Sequence, residues 1–568
     1  MKRFLFLALL LLNVFLGDAQ TTPPVAAPGG DTTQPVIILP GTQRQRFFRL
    51  EDGTELQVLA GTVGLRQGNT YFYCDSLVLN SITKVFEAFG HVHISDDTTQ
   101  IYSDYLRYLT DRRLAYLQRN VRLTDRHSTV TTNELEYDVA TKTATYRTGG
   151  RVVIGKSVLT SREGVYFGDT KDIFFRHNVE LKDPGTYLKT DSMIYNTQTR
   201  QTQLITETYI RDSSGRVIRT REGVYDMTTR QATFTQRTSI DDKCLRVVGD
   251  RIANDDATGT VQIEGNAVLI DTCQGINILA NRIFANKRTE AYLATKKPLM
   301  IIRQDKDSIY VSADTLYSAR LSELPRPATP VAVDTAGAST DSLASADSTV
   351  AVAAVTPKVS PAPKTKVPSK NIKTAPPAKD STDRYFEAYR NVRIFSDSLQ
   401  AVGDSMFYSF KDSIFRLFKD PVAWNKKNQV SGDTIYLYTK NKKADKIRVF
   451  NNSFIANEVK PGIYNQVKST RLDGWFQEGN IDSIRCRGFA ESVYFMQDDD
   501  SAFTGVNQTS ADIMDVRFLK GELHRVIYRS AVKGTLWPIR QKHPSEMLLP
   551  GFGWYDERRP KTKYDLFQ

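Results

Sequence analysis

The sequence has few of the residues that most enzyme chemistry requires. In 568 residues it contains four cysteines and six histidines. The cysteines, Cys74, Cys244, Cys273 and Cys486, lack a CxxC or other zinc-ligand spacing. No GxSxG sequence, Walker loop, HExxH sequence or Cys/His pairing occurs either. We therefore predict a protein that is not an enzyme and uses no metal and no cofactor.

Long hydrophobic runs are also missing beyond the N-terminus. Lys2 and Arg3 precede an apolar run over 4–16, and small residues follow up to Ala19. The run is shorter than the roughly 20 residues of a spanning helix, and the pattern is typical of a secretory signal. The cleavage point lacks the cysteine that a lipoprotein anchor requires, so the sequence does not favour such an anchor. The prediction is a signal peptide over 1–19 and a soluble, exported chain in the periplasm, between the inner and outer membranes.

Helical periodicity is absent from the rest of the chain, whereas alternation of apolar and polar residues is frequent. Segments such as SDYLRY and TDSMIY begin with a polar marker residue, and apolar residues follow two and four positions later. Such alternation predicts half-buried strands, and a fixed period predicts a repeat architecture. The period is about 29 residues, and the markers are Asp75, Asp104, Asn133, Arg162, Asp191, Arg221, Asp250, Asn281 and Asp314.

The repeats divide the chain into segments. A flexible segment, 20–45, precedes a first β domain, 46–323. A linker rich in Pro, Ala, Thr and Lys, 324–383, cannot bury enough apolar surface to fold. The repeat then resumes, with Asp404 and Asp433 again 29 residues apart, which predicts a second domain over 384–540. A C-terminal tail, 541–568, follows.

One face of each predicted strand is apolar. Because side chains alternate across a strand, the residues two and four positions after each marker share a face. We predict that this face lines either a filled core or an apolar groove. Gly164 and Gly223 on this face either leave room for lipid chains or mark bends. The groove candidates are Leu77, Leu79, Val92, Ile94, Leu106, Tyr108, Val121, Leu123, Leu135, Tyr137, Tyr166, Val179, Leu181, Met193, Tyr195, Tyr225, Ile252 and Ile283.

An exported all-β chain built of "D-x-L-x-Y … NVxLxD" hairpins at this period resembles the LptA/OstA family of periplasmic lipopolysaccharide-transport proteins. It is most similar to longer OstA-like proteins with two such regions. The resemblance implies an open β-jellyroll, or β-taco, that shields the acyl chains of lipid A. It also implies edge-strand pairing with LptC-like and LptD-like components, and head-to-tail pairing of copies.

The functional prediction is therefore a lipopolysaccharide carrier that connects inner- and outer-membrane transport machinery. The alternative is a structural or adhesive β-solenoid with a filled core and no lipid ligand. A formal net charge of +12 favours an acidic partner, and export argues against nucleic acid. Cys244 and Cys273 precede equivalent strands of adjacent layers, so they form either a disulfide or two unrelated thiols.

Overall fold

The computed structural model describes residues 34–96, 99–303, 308–324, 382–440, 443–477, 480–498, 500–519 and 522–567. The predicted signal peptide and nearly all of the predicted linker lie outside these ranges. Strands dominate the described residues, and the only helices there are five short 3₁₀ turns. None of the helices in these ranges has the length and apolar character that a membrane span requires. The predicted all-β, repeat-built jellyroll is confirmed.

The strands are β1 Ile37–Ile38, β2 Arg44–Arg49, β3 Glu55–Gln67, β4 Thr70–Asn80, β5 Val85–Asp96, β6 Thr99–Leu109, β7 Leu114–Thr124, β8 Thr129–Asp138, β9 Thr143–Tyr146, β10 Gly150–Ile154, β11 Ser157–Ser161, β12 Glu163–Phe167, β13 Asp172–Asp183, β14 Thr186–Asn196, β15 Gln201–Leu204, β16 Thr208–Asp212, β17 Val217–Thr220, β18 Gly223–Asp226, β19 Gln231–Phe234, β20 Thr238–Asp242, β21 Leu245–Gly249, β22 Arg251–Asp255, β23 Thr260–Asp271, β24 Ile276–Asn286, β25 Ala291–Thr295, β26 Leu299–Ile302, β27 Ile309–Ser312, β28 Thr315–Ala319, β29 Tyr385–Phe395, β30 Gln400–Ser409, β31 Ile414–Phe418, β32 Val422–Asn425, β33 Asn428–Ser431, β34 Thr434–Lys440, β35 Lys443–Lys460, β36 Ile463–Gln477, β37 Asn480–Gln497, β38 Phe503–Leu519, β39 Glu522–Arg529 and β40 Lys533–Pro538. The 3₁₀ turns are Leu321–Glu323, Ile539–Gln541, Pro544–Glu546, Asp556–Arg558 and Lys563–Phe567.

The described residues fall into two compact units. The first, unit 1, ends at Arg200, and the second, unit 2, begins at Gln201. Within unit 2, β28 precedes the predicted linker and pairs with β29 after it, from Thr315 opposite Tyr389 to Ala319 opposite Tyr385. The repeats on the two sides of the linker are therefore neighbours in a sheet. The division into a first domain over 46–323 and a second over 384–540 stays a prediction.

Many strands bend sharply where two successive residues have positive φ. In β7 these are Arg119 and Asn120, with φ of 66° and 52°, and the pairing with β6 shifts register there. Asn, His and Gly tolerate this left-handed backbone best. In unit 1 the bends are Gly61 with Thr62, Gly90 with His91, Arg119 with Asn120, and His177 with Asn178; in unit 2 they include Gly265 with Asn266, Arg390 with Asn391, and Asn451 with Asn452. Each bent strand contributes one segment to each of two facing sheets.

The polar marker residues of the repeat hold these bends. The Asn120 side-chain amide donates to the Asp104 carboxylate at 2.7 Å, and the Asp250 backbone amide donates to the Gly265 carbonyl at 3.0 Å. The same side-chain contact recurs between Asp75 and His91, Asp250 and Asn266, Asp314 and Asn391, and Asp433 and Asn452. The 29-residue recurrence of a small polar residue therefore has a local cause, because these markers secure bends.

Hairpin turns border the two sheets on the side away from the bends. A typical turn lies between β8 and β9, where Asp138 Oδ1 accepts hydrogen bonds from the backbone amides of Ala140 and Thr141 at 2.8 and 3.1 Å. The turn ends at Lys142, whose φ is 51°. The Gly168 amide of the next turn donates to the Lys142 carbonyl at 2.9 Å. Successive turns are thus stacked in a row.

The C-terminal segment, 539–567, packs on the outer face of a sheet of unit 2, and we call it the strap. Val402 pairs with Arg393, which lies between the inward residues Val392 and Ile394, so Val402 faces away from the interior. It belongs to a buried cluster with Val422 and Trp424, against which Tyr555 of the strap packs. A second cluster joins Met547 and Leu549 of the strap to Phe454, Ala456, Val493, Phe495 and Val506.

Two glutamines of that outer face bind the strap backbone through both atoms of their amide groups. Gln466 Nε2 donates to the Met547 carbonyl at 3.0 Å, and Gln466 Oε1 accepts from the Leu549 amide at 2.9 Å. Gln429 contacts the Gly553 carbonyl and the Tyr555 amide in the same way, at 2.7 and 2.8 Å. The strap is therefore a third layer, attached by apolar packing and by buried hydrogen bonds.

Candidate functional site

The predicted groove residues all lie on the inward faces of the sheets. Every one is buried except Leu79, which is half-buried. Leu79 occupies the position at which later repeats have a tyrosine, in the first full repeat of the chain. The buried residues are Leu77, Val92, Ile94, Leu106, Tyr108, Val121, Leu123, Leu135, Tyr137, Tyr166, Val179, Leu181, Met193 and Tyr195 in unit 1, and Tyr225, Ile252 and Ile283 in unit 2. Their contact with lipid stays a prediction.

The interior of unit 1 is closely packed. Leu106, Tyr108, Tyr137 and Tyr195 have an exposed fraction of 0%, so a water-sized probe does not reach them. Complete burial of this kind is normal for side chains in a protein core. The inward side chains therefore contact one another, as the filled-core alternative expects.

The two glycines that could leave room for lipid do not do so. A Cβ atom on Gly164 would lie 2.4 Å from the ring of Tyr146, and one on Gly223 would lie 2.8 Å from the ring of Phe234. The Tyr146 hydroxyl also hydrogen-bonds the Ser161 hydroxyl at 2.7 Å. Gly164 is needed because the Tyr146 ring occupies the space above it, and Gly223 because the Thr233 carbonyl oxygen, 2.5 Å from an added Cβ, and the Phe234 ring do so.

Three tyrosines of unit 1 close the side of the interior opposite the bends. Their hydroxyls donate to side chains at the ends of strands in the facing sheet. We call these three contacts the latches, and we call the side of the interior opposite the bends the mouth. Tyr108 donates to Gln67 at 2.5 Å, Tyr137 to Asp96 at 2.9 Å and Tyr166 to Asp125 at 2.5 Å. In each latch the partners are 41 residues apart. A polar seam thus covers an apolar interior.

The Asp125 latch is a buried, charged hydrogen-bond network. The Asp125 side chain is 1% exposed, and Lys171 Nζ lies 4.0 Å from its Oδ2. Burial alone would raise the pKa of Asp125. Hydrogen bonds from Tyr166 and from the backbone amides of His127 and Ser128 outweigh burial, so this pKa lies below its usual value. Burial and the adjacent carboxylate raise the pKa of Tyr166, so at neutral pH the tyrosine donates and the aspartate accepts.

In unit 2 an ion-pair network lies at the repeat position that corresponds to a latch of unit 1. Arg216 makes two hydrogen bonds of 2.8 Å to the Asp256 carboxylate. Lys287 Nζ donates to Asn254 at 2.8 Å and lies 3.4 Å from Asp256. Burial alone would raise the pKa of Asp256, but Arg216 and Asn254 lower it overall. The pair is planar and bidentate, the geometry in which arginine binds carboxylates most strongly.

Sequence reasoning missed the acceptors of the latches. Gln67, Asp96 and Asp125 recur at 29-residue intervals, in step with the tyrosines Tyr108, Tyr137 and Tyr166. This second polar series is visible in the sequence. Each tyrosine contacts the acceptor 41 residues before it, on the facing sheet. The 29-residue period does not reveal which acceptor faces which tyrosine.

The two histidines of the GHVHIS segment contact different partners. His91 Nδ1 lies 2.7 Å from Asp75 Oδ2 at a bend, and this contact raises the pKa of His91. His93 Nε2 hydrogen-bonds Gln100 at 2.6 Å. Among the described residues no group of three or more His, Cys, Asp or Glu side chains could hold a metal ion.

Two of the four cysteines are joined. A disulfide links Cys244 and Cys273, whose Cα atoms are 5.5 Å apart, and the Thr272 amide donates to the Cys244 carbonyl at 3.0 Å. The bond therefore connects the turn before β21 to the turn before β24. Cys74 and Cys486 are buried thiols.

Exposed strand edges occur in both units. Among the described strands, β2 pairs only with β3, and all six of its residues are exposed, Phe47 by 74%. In unit 2, β39 and β40 each pair only with β38 among the described strands. Free edges of this kind are templates for pairing with another chain.

The family comparison agrees with this architecture. Residues 36–191 match the family described as OstA-like protein, and this range contains the three latches and the four bends of unit 1. No curated protein matches the chain. The resemblance predicted from the hairpin repeat is thereby confirmed over residues 36–191, which are similar to the OstA-like family.

Proposed function

We propose that this protein is a periplasmic carrier that shields the acyl chains of lipopolysaccharide between its two sheets. The observation that supports the proposal is the continuous apolar lining of the interior behind a polar mouth. An amphiphile that crosses water must keep its acyl chains dry, at about 0.8 kcal/mol for each methylene. A trough with an apolar floor and a polar rim matches both parts of such a molecule.

The closed interior sets a condition on this function. Because the inward side chains of unit 1 are buried, Leu79 excepted, acyl chains can enter only if the two sheets separate. The bends join the sheets covalently along one side, whereas the latches join them through hydrogen bonds alone. Separation at the mouth therefore breaks the weaker connection. A permanently closed interior is the alternative, a structural or adhesive β-solenoid, and the close packing favours it as the second candidate.

The exposed edges supply a means of joining partners. We infer that β2 and the last strands of unit 2 pair with sheets of LptC-like and LptD-like components, or with a second copy head to tail. Main-chain hydrogen bonds would extend the sheet across the joint. We do not propose nucleic acid as a partner. The net charge of +12 favours binding of anionic headgroups.

The test is photocrosslinking to lipopolysaccharide in cells. A photoreactive residue is placed at the inward positions Leu106, Tyr108, Leu135 or Tyr195, and at Arg107, which is exposed on the outer face. We expect adducts from the inward set alone. No adduct from any position in a folded, exported protein would favour the closed solenoid, and equal adducts from Arg107 would indicate nonspecific surface contact.

A further inference from the structure

A row of basic side chains borders the mouth of unit 1, and we call it the cation row. Its members end successive hairpin turns, and all have positive φ. They are spaced by 29 residues, so each layer has one cation. The members are Lys84, Arg113, Lys142, Lys171 and Arg200.

The cation row lies beside the latches. Lys171 Nζ is 4.0 Å from Asp125 of a latch, and Arg200 Nη2 is 3.5 Å from Asp183. Lys84 and Lys142 form exposed ion pairs with turn aspartates at 3.3 and 3.8 Å. Exposed pairs of this kind contribute little free energy, so an incoming anion can compete for these cations.

Two donor atoms at the mouth make no hydrogen bond within the described part of the chain. They are Nε of Arg113 and Nε of Arg200, and both atoms are buried. Nearly all buried polar groups in proteins have partners. The acceptor oxygens of phosphate esters along the row would supply partners for such groups.

We propose that the mouth of unit 1 is a site for the phosphorylated headgroup of an acylated amphiphile, where the cation row binds the phosphates and the latches open to admit the chains. This inference rests on the proposed function and adds the residues that recognise the headgroup and the side on which the interior opens. The acyl chains lie behind the latches, and the phosphates remain at the rim, in water.

The first experiment measures headgroup recognition with the full exported chain. The probes are labelled lipopolysaccharide, the same preparation after removal of its lipid A phosphates, and inorganic phosphate. A triple variant replaces Lys84, Arg113 and Lys142 with Gln. Its matched control replaces Arg107, Arg151 and Lys189 with Gln. These three residues are exposed on the outer faces of unit 1, so both variants lose three positive charges.

We expect the cation-row variant to bind the phosphorylated probe about tenfold more weakly and the dephosphorylated probe with less than about twofold change. The control should change neither by more than about twofold. Equal losses of binding affinity in the two variants would show that net charge alone explains the effect, and this result would overturn the proposal. An effect confined to inorganic phosphate, with lipopolysaccharide binding unchanged, would overturn it as well.

The second experiment tests opening at the mouth by the rate of probe uptake. Tyr137→Phe removes one latch, whereas Tyr146→Phe removes the buried hydroxyl contact with Ser161 beside the bends. We expect about tenfold faster uptake for Tyr137→Phe, from the loss of one hydrogen bond to a charged acceptor, and no change for Tyr146→Phe. Equal rates in the two variants would refute opening at the mouth. If the unmodified protein binds neither lipopolysaccharide probe, the proposed function fails, and this inference with it.

Discussion

Replacing Gln466 with Ala should release part of the strap while leaving the rest of the protein folded. Gln466 is 1% exposed and makes hydrogen bonds of 3.0 and 2.9 Å to the strap backbone. The substitution removes two bonds of about 1 kcal/mol each and leaves a buried carbonyl and a buried amide without partners. We expect the free energy of local opening to fall by about 2–4 kcal/mol.

Amide hydrogen exchange measures that opening directly. A loss of 2–4 kcal/mol corresponds to exchange that is roughly 30- to 1000-fold faster in peptides covering 544–556. Peptides covering β7 in unit 1 should keep their rates, which shows that the variant is folded. The matched control is Gln508→Ala, because Gln508 pairs with Val493 on the same sheet face but is exposed. Unchanged exchange in the Gln466 variant, or equal acceleration in the control, would refute the attachment that we describe.

Three further predictions concern the cysteines and the Asp125 latch. Reducing the Cys244–Cys273 disulfide, which closes a loop across 29 residues of sequence, should destabilise its part of unit 2 by roughly 3–4 kcal/mol; identical denaturant midpoints with and without reductant would contradict this. Burial raises the pKa values of Cys74 and Cys486 to about 12, so maleimide should label neither thiol in the folded protein up to about pH 9, and fast labelling of the native state would exclude such burial. Because its folded-state pKa is lowered, the Asp125 carboxylate contributes stability above the unfolded-state pKa of about 4, and this is lost as pH falls through the folded-state value. Asp125→Asn should therefore cost about 1–3 kcal/mol at neutral pH and progressively less as pH falls below about 4, measured by denaturant unfolding, and a cost that does not change with pH would be inconsistent with a charged latch.

The inward face was predictable from the sequence because it depends only on alternation. Leu106 and Tyr108 are two residues apart on one strand, so their shared face follows from the geometry of any strand. The role of the marker residues was not predictable in the same way. Asp104 contacts Asn120 only because Arg119 and Asn120 adopt left-handed backbone, and no alternation pattern encodes such a bend.

The strap was not predictable because it has no period. The segment LPGFGWYDERRP lacks both helical and strand spacing, and its order depends on a surface elsewhere in the chain. That surface does leave a trace in the sequence. The strands of unit 2 beneath the strap contain consecutive apolar residues, as in PVAW at 421–424 and SVYF at 492–495, where a sheet with one face in water would alternate. Two apolar faces require a third layer, and the strap is the segment that provides it.

The two polar systems of the repeat differ in strength, and this difference bears on how a carrier of this design would work. The contacts at the bends are exposed, as in Asp75 with His91, whose side chains are 60% and 92% exposed, and each contributes little free energy. The latches are buried, and the two with aspartate acceptors contribute about 1.5–3 kcal/mol each, whereas the neutral Tyr108–Gln67 latch contributes about 0.5–1.5 kcal/mol. Opening all three latches of unit 1 at once would therefore cost roughly 4–8 kcal/mol, whereas opening any single latch costs at most about 3 kcal/mol. An acyl chain entering an open layer replaces the apolar contacts that the sheets lose, so the latch is the main uncompensated cost. Under the proposed function, an amphiphile would therefore advance one layer at a time, with each latch closing behind it before the next one opens.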